Sequence, residues 1–512
     1  EVRPLNKVER KFISRFRSHS HLEDCRSGAR GRHPAREISR AEESAFTPRH
    51  YQQEAIEAWN SAGRVGMLSM ATATGKTITA LLAISPLVRN GRPILILVPN
   101  RVIMSQWYKN IKACFPDVPV LLAGGGYNWR GDSRKRIYVS GRAKPRIILS
   151  TMSTAATNDF LEYFRQAELP VLVADEAHRI GSPVNRRILT EINFRERLGL
   201  SATPERLYDA EGQAALENAF GSSPVYDLPL DGSVRTSAES SEELPIIGSF
   251  LSKYDYHFEV VNLSTEEQQN WNRMTSEIRR TIARNPELLD ADGLLDDRAG
   301  RLQLLLIERA RILKRAEGKV DCACRVISEM YPSDGRWIVY CEDGDQLRDV
   351  TEALRRENKH LTVLRYYSEM DQFERDLTLD HFDQNAGIVV SIRCLDEGVD
   401  IPKVDGALIL ASSKNPREYI QRRGRVLRKA FGKRKATIVD TIVLPNIETE
   451  DDLSTLPIVR GELARAWSFA DLAENRDVTH QLWRLAKEYG VNLHTDGEIS
   501  LEEDTRRTPD VV

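Results

Sequence analysis

The sequence predicts an α/β protein with two tandem parallel-sheet domains, a helical linker and a C-terminal helical segment. Three observations carry this: short apolar runs alternate with helix-like stretches between residues 65 and 201, the alternation resumes at 336 and continues to 441, and residues 265–330 between them read as mostly helical. Continuous apolar runs of this length are strands buried on both faces. Strands alternating with helices form parallel sheets, whose ligands sit at the carboxyl ends of the strands. At 512 residues the chain exceeds a single core. The expected divisions are a basic arm (1–45), a first α/β domain (46–230), a linker with a helical insertion (231–330), a second α/β domain (331–450) and a helical segment with a tail (451–512).

With 41% hydrophobic and 29% charged residues the chain falls in the soluble globular class. The net charge of -2 does not announce a polyanion partner, so a nucleic-acid site has to come from local clusters of basic residues. Six cysteines without Cys-x-x-Cys spacing argue against a disulfide scaffold and against a zinc site. Cys322 and Cys324, two residues apart in a helical context, point to different faces and read as structural. No run approaches membrane-spanning length and there is no secretory signal, so the expected setting is the reducing cytoplasm, with no membrane partner. The first residue is Glu1, which fits a processed product or the continuation of something longer.

Along the chain, the first 40 residues hold eleven Lys/Arg against five Asp/Glu, a net +6; a solvated arm and a nucleic-acid contact both fit such a run. Gln52, in Pro48-Arg49-His50-Tyr51-Gln52, carries an amide that suits an adenine edge. Residues 65–70 form the first strand, and residues 70–77, Met-Ala-Thr-Ala-Thr-Gly-Lys-Thr, lead into a helix over 77–88. A Gly-Lys-Thr loop in that setting cradles phosphates. Backbone N–H groups around Gly75 face the β-phosphate, Lys76 reaches the β- and γ-oxygens, and the Thr77 hydroxyl ligates Mg²⁺. Ala73 stands where glycine is common, which requires φ below zero at that position.

The run 94–99 is the next buried strand and leads into Arg101, Ser105, Gln106 and Trp107. After Gly124-Gly125-Gly126 come Trp129, Arg130, Arg134, Lys135, Arg136, Arg142 and Lys144, a pattern shared by phosphate-tracking loops and by solvated arginine-rich ones. Strands at 146–151 and 170–176 follow, the second ending in Asp175-Glu176-Ala177-His178. Here Asp175 can hold Mg²⁺ through water, and Glu176 can orient and deprotonate an attacking water. Another strand closes on Ser201-Ala202-Thr203, and residues 232–245 gather the Pro, Gly and Ser of a linker. Leu302, Leu305, Leu306, Ile312 and Leu313 form the apolar stripe of a packed helix.

The second strand set (336–341, 361–366, 387–392, 407–411, 436–441) has no Gly-Lys-Thr loop. It carries Asp396-Glu397-Gly398-Val399-Asp400 and Gln421-Arg422-Arg423-Gly424-Arg425-Val426-Leu427-Arg428. Five Lys/Arg within 422–429 fit a solvated basic face, or fixed arginines that complete a two-domain ATPase site. Residues 457–491 read as helical, with Trp467, Phe469 and Leu472 as core candidates.

Taken in this order, the motifs resemble superfamily 2 helicases with two RecA-like domains and a DEAH box, over roughly residues 46–428. The sequence looks most like the branch of XPB-like, RadD-like and type III restriction helicase subunits, through Leu395-Asp396-Glu397-Gly398-Val399-Asp400-Ile401-Pro402 and Gln421-Arg422-Arg423-Gly424-Arg425. The resemblance implies an ATP hydrolase that uses ATP and Mg²⁺ and acts as a helicase or translocase on DNA, duplex or single-stranded, with RNA left open. It implies a catalytic set of Lys76, Glu176, Gln421, Arg425 and Arg428, both arginines touching the γ-phosphate from across the cleft. Nucleotide contacts would come from Gln52, Thr74, Gly75, Lys76, Thr77, Asp175 and Asp400, with Thr77 and Asp175 at the metal. His178, Ser201 and Thr203 would couple this site to a nucleic-acid track formed by Arg101, Gln106, Trp107, Ser150 and Thr151.

Two departures narrow the reading. The Arg-Glu-Asp signature of true XPB proteins has no counterpart, Arg195-Glu196-Arg197 being a different run. Glu317-Gly318-Lys319 has Glu-x-Lys spacing but lacks the strand-borne aspartate of a nuclease, so in a restriction or phage-defence system the nuclease would belong to a separate subunit or to a missing N-terminal part. DNA repair is equally open to this branch. An ATP-gated clamp or sensor shares the same ATP site as a motor and stays open at this point. A small-molecule phosphotransferase does not fit, since it has no use for a second domain presenting Arg425 and Arg428.

Overall fold

The apolar runs become strands, and helices cover both faces of the sheets they form. The computed structural model describes residues 47–131, 146–165, 170–206, 209–236, 245–285, 300–392, 404–411, 416–446 and 455–493. The first lobe comprises α1 (His50–Ser61), β1 (Val65–Met70), α2 (Lys76–Arg89), β2 (Pro93–Val98), α3 (Arg101–Cys114), β3 (Val120–Ala123), β4 (Arg146–Thr151), α4 (Met152–Ala155), α5 (Asn158–Phe164), β5 (Val171–Asp175), α6 (Arg187–Glu191), β6 (Glu196–Ser201), α7 (Ala210–Phe220), β7 (Tyr226–Leu228) and β8 (Arg235–Thr236). Its sheet has the order β3-β4-β2-β5-β6-β1-β7-β8, parallel except for the antiparallel β7–β8 pair. β2, β4 and β5 are buried along their whole length, as parallel strands between helical layers must be.

The second lobe comprises β9 (Lys253–Val261), α8 (Thr265–Arg284), α9 (Gly300–Lys314), α10 (Gly318–Met330), β10 (Arg336–Tyr340), α11 (Gly344–Glu357), β11 (Val363–Tyr366), α12 (Gln372–Gln384), β12 (Gly387–Ser391), β13 (Gly406–Ile409), α13 (Pro416–Val426) and β14 (Lys435–Val443). Two helices follow, α14 (Leu456–Ala470) and α15 (Asp477–Glu488). The sheet order is β11-β12-β10-β13-β14-β9, all parallel. Both lobes belong to one unit, Ser44–Val512. One apolar cluster runs from Trp59, Trp107 and Leu200 through Leu251 and Tyr254 to Ile338, Ile438 and the C-terminal Leu463 and Phe469.

Strand register aligns the functional ends in the first lobe. Val98 pairs with Thr151, Asp175 with Leu200, and Ser69 with Ser201, so Thr151, Asp175 and Ser201 finish their strands on the edge where β1 hands over to the phosphate loop. That edge is where an open α/β sheet binds its ligand.

The domain boundary differs from the expected one. The second lobe starts at β9 rather than at residue 331, because β9 pairs with β14 over all nine of its residues. Its sequence, Lys-Tyr-Asp-Tyr-His-Phe-Glu-Val-Val, buries Tyr254 and Tyr256 on one face while Asp255, His257 and Glu259 on the other stay partly exposed, the alternation of an edge strand and not the unbroken apolar run of an inner one. The helical insertion therefore lies inside the second lobe. Leu302 and Leu305 pack with Met274 and Ile278, with Leu306 and Ile312 against them, while Leu313 joins the main core of that lobe. Residues 457–491 are helical as expected, in the two helices α14 and α15. Cys322 and Cys324 are buried free thiols. Among the described residues no group of three or more His, Cys, Asp or Glu is placed to hold a metal, and no described helix is long and apolar enough to cross a membrane.

Candidate active site

Helix α2 starts on Gly75, which sits at φ 82 and ψ 33 with no side chain capping the first turn. An L side chain is disfavoured there, and the uncapped N–H groups make the helix start an anion site. Ala73 stands at φ 66, against the expectation that it keeps φ below zero. A left-handed alanine costs about 1 kcal/mol, and the loop is tied down around it. The Thr74 hydroxyl donates to the Ala71 carbonyl at 2.7 Å, and the Tyr51 hydroxyl donates to the Thr74 carbonyl at 2.8 Å. The Thr74 side chain is thus a buried brace of the loop. Gln52 is buried beside the same loop: its Nε2 lies 3.4 Å from the Thr74 carbonyl, and its Oε1 accepts the Arg49 N–H at 3.0 Å. Lys76 Nζ donates to the Met70 carbonyl at 3.0 Å. Burial pushes the Lys76 pKa down, against the pull of Glu176 and Asp175.

At the end of β5, the two Asp175 oxygens are both engaged. Oδ2 accepts from Trp107 Nε1 at 2.7 Å and Oδ1 accepts the Glu176 N–H at 3.1 Å. Burial pushes the Asp175 carboxyl up, opposed by Trp107 and Lys76. Glu176 is left-handed, at φ 50 and ψ 53, a conformation that costs free energy and clusters at functional sites. Its Oε2 lies 3.5 Å from His178 Nδ1, and that nitrogen lies 3.1 Å from Ser201 Oγ. Ser201 Oγ in turn donates to the Thr203 carbonyl at 2.8 Å and accepts the Thr203 N–H at 3.1 Å. His178, Ser201 and Thr203 therefore form one connected path from Glu176 to the end of β6.

A cavity of about 240 Å³ separates the lobes. Thr72, Ala73, Gly75, Lys76, Thr77, Asp175 and Glu176 line it from the first lobe, and Gly424, Arg425 and Arg428 from the second. Arg179, which the sequence reading passed over, also lines it, three residues after Glu176. The lobes touch at Gly424: a Cβ there would clash with Thr72 Oγ1 and lie 2.7 Å from Thr72 Cβ. Arg422 and Arg423 are only 3% and 5% exposed, so the basic run is not a solvated face. Arg422 Nη1 donates to the Ala411 carbonyl at 2.8 Å and Arg423 Nη1 to the Ser468 carbonyl at 2.7 Å. Gln421 lies on the same helix, α13. Asp400 lies outside the described residues.

The expected nucleic-acid contacts divide. Trp107 is 1% exposed and bonded to Asp175, and Gln106 lines the cavity between the lobes, so both belong to the ATP side. Met104, Trp107 and Ile111 form the buried face of α3, a helical spacing that marks Trp107 as core. Ser150 is fully buried and donates to the Thr151 carbonyl at 3.0 Å, so it presents no surface to a ligand. Arg101 is exposed, with its guanidinium 5.9 Å over the Tyr127 ring. Gly124 and Gly125 pack between it and Thr151, which is buried and donates to Thr154 Oγ1 at 3.0 Å. Arg101 and Thr151 thus share one patch beyond the strand ends. Trp129 is core, edge-on to Phe160, and Arg130 pairs with Asp159 at 2.8 Å. Arg134, Lys135, Arg136, Arg142 and Lys144 lie outside the described residues.

The donor set fits a magnesium nucleotide. An uncapped helix start, a lysine, one hydroxyl (Thr77) and one carboxylate (Asp175) suit phosphate and a cation that is bound by one or two carboxylates plus phosphate oxygens. Comparison with known proteins agrees. Residues 45–206 match the family "Type III restriction enzyme, res subunit", and residues 318–430 match "Helicase conserved C-terminal domain". The chain is 26% identical over 395 residues to the DNA 3'-5' translocase XPB2 of Sulfurisphaera tokodaii, covering 74% of this chain and 78% of that protein. The ATP-dependent Type ISP restriction-modification enzyme LlaBIII bound to DNA is similar in fold over 91% of this chain and a third (33%) of that one, with 17% identity and a TM-score of 0.52. The Pyrococcus furiosus Hef helicase domain aligns over 77% of this chain and 95% of its own at 17% identity, with a TM-score of 0.48. With the two matched regions in order on either side of one phosphate-binding cleft, the chain belongs to the superfamily 2 helicases, in the XPB and type III restriction branch, and is an ATP hydrolase that uses Mg²⁺.

Proposed function

We propose that this chain is a DNA translocase driven by ATP, with a hydrolysis site completed only when its two lobes meet. The observation that carries the proposal is the split lining of the cleft, Lys76, Asp175 and Glu176 on one wall and Arg425 and Arg428 on the other. Mg-ATP supplies the phosphoryl group and neutralises charge on its oxygens. Lys76 exchanges the Met70 carbonyl for β- and γ-oxygens, and Thr77 and Asp175 would hold the metal side. Glu176 orients a water and accepts its proton on the carboxylate. Arg425 and Arg428 stabilise the charge that spreads over the γ-oxygens, which makes lobe closure a condition of chemistry. The path His178–Ser201–Thr203 carries the change toward the strand ends, where Arg101 and Thr151 stand. DNA as substrate is supported by the relative named a DNA 3'-5' translocase. Such a track binds mainly through phosphates, so affinity should fall steeply with salt and show little sequence preference.

Triplex displacement along duplex DNA tests this reading. An ATP-dependent release of a third strand placed away from the loading site is expected, abolished in Lys76→Ala. ATPase activity stimulated by DNA without displacement would replace the motor with an ATP-gated clamp.

A further inference from the structure

We infer that Arg423 is a positioning residue, fixing the arginine helix α13 from behind by bonding to the C-terminal helix α14, so that the C-terminal segment sets the rate of hydrolysis. This rests on the reading of Arg425 and Arg428 as arginines directed at the γ-phosphate.

Tyr419 and Arg423 lie one turn apart on α13 and are both buried, whereas Arg425 on the same helix and Arg428, two residues past its end, line the cleft. The helix thus has two working faces. On the inner one, Arg423 Nη1 donates to the Ser468 carbonyl at 2.7 Å and the guanidinium lies 4.8 Å over the Phe469 ring. Phe469 is itself fully buried between Tyr419 (5.8 Å) and Tyr256 (5.4 Å), and its carbonyl accepts the Tyr254 hydroxyl at 2.6 Å. The end of α13 is held too: the Ser252 N–H donates to the Leu427 carbonyl at 2.7 Å and Lys433 Nζ to the Val426 and Arg428 carbonyls. None of these partners lines the cavity. Ser468 and Phe469 also lie beyond residue 430, where the match to the helicase C-terminal domain stops.

Stability alone is a poor reason for a buried arginine here. Among the described residues its Nε is buried without a hydrogen-bond partner, and an apolar side chain would fill such a site at lower desolvation cost. A planar guanidinium that both stacks and donates does something an apolar side chain cannot, which is to fix the rotation of α13 about its axis relative to α14. That rotation decides where Arg425 points, and the helix end it fixes is where the chain runs on to Arg428. Misplacing a catalytic group by about 1 Å costs on the order of 10²-fold in rate.

The test compares Arg423→Met, Arg423→Lys and Arg425→Ala in the full chain, measuring kcat at saturating DNA, binding of a fluorescent ATP analogue, and thermal unfolding. Arg423→Met is expected to lower kcat about ten- to hundredfold with analogue affinity unchanged, and Arg423→Lys, which restores a donor, to recover part of it. If Arg423→Met melts below the assay temperature, Phe469→Leu is read in its place with the same expectation. A folded Arg423→Met with wild-type kcat overturns the inference, as does a loss that falls equally on analogue affinity. If Arg425→Ala itself keeps wild-type kcat, the underlying arginine reading fails and this inference falls with it.

Discussion

In the first lobe the proposed catalytic groups stand at or just past strand ends and are set by their near neighbours: Lys76 by the Met70 carbonyl, Asp175 by Trp107 and the Glu176 N–H, and His178 by Ser201. In the second lobe Arg425 stands on α13 and Arg428 two residues past its end, both set from behind by buried charge. Arg422 reaches Ala411, Arg423 reaches Ser468, and deeper still Asp440 pairs with Arg465 and Lys319 Nζ donates to the Lys314 carbonyl. The difference separates two kinds of fault. A change in the first lobe alters binding or the chemical step at one atom, whereas a change in the second alters where two arginines arrive and leaves the phosphate cradle untouched.

The sharpest way to break this comparison is to remove an arginine. Arg425→Ala or Arg428→Ala should lower kcat at saturating DNA by about 10³ to 10⁵, the usual worth of an arginine finger, with little change in ATP affinity. Full recovery of the rate at high DNA would make them phosphate-backbone contacts instead. Glu176→Gln follows, with an expected loss of about 10² to 10⁴ in hydrolysis while Mg-ATP still binds, because the amide keeps the shape and loses the base. Near wild-type turnover would remove Glu176 from its role.

The buried charge of the second lobe gives a pH signature. Burial pushes Lys319 down from 10.5 to about 8. Above pH 8 the folded chain has lost this proton while the unfolded chain keeps it until about 10.5, so stability rises with pH across that window and is level below it. At about 1.36 kcal/mol per pKa unit the rise is on the order of 3 kcal/mol. Urea unfolding of the wild type and of Lys319→Met from pH 7 to 10.5 should show a steeper rise in the wild type; parallel curves would contradict it. The smallest effect is expected of Trp107→Phe, which keeps the core aromatic and deletes the donor to Asp175. A hydrogen bond to a charged group is worth about 1.5–3 kcal/mol, so the Mg²⁺ needed for half-maximal rate should rise about tenfold or more, with DNA affinity unchanged. The reverse pattern would return Trp107 to the nucleic-acid track.

Much of this site is legible in the sequence because its signals are local. β1 and β4 fall on the expected residues, and the Gly-Lys-Thr loop and the acidic pair each occupy one strand end. What escapes depends on partners distant in sequence. Trp107 bonds Asp175 across 68 residues, and Arg423 bonds Ser468 across 45. β9 was hidden for another reason: as an edge strand it alternates, and its tyrosines, aspartate and histidine dilute the apolar signal that marks inner strands. Ala73 shows a limit of residue preference, since the loop holds it at positive φ through the Thr74 and Tyr51 bonds despite the steric cost.

That the hydrolysis site is made by direct contact between the lobes is tested most directly at Gly424, where no functional group need be removed. Alanine is the better helix former by about 1 kcal/mol, so Gly424→Ala should not weaken α13. Its methyl would nevertheless lie 2.7 Å from Thr72 Cβ, too close for the phosphate loop to stay where it is. Steady-state ATPase at saturating DNA, with binding of a fluorescent ATP analogue followed separately, is expected to show kcat lowered on the order of 10²-fold and analogue binding retained. A Gly424→Ala protein that hydrolyses ATP at the wild-type rate would contradict closure at this contact.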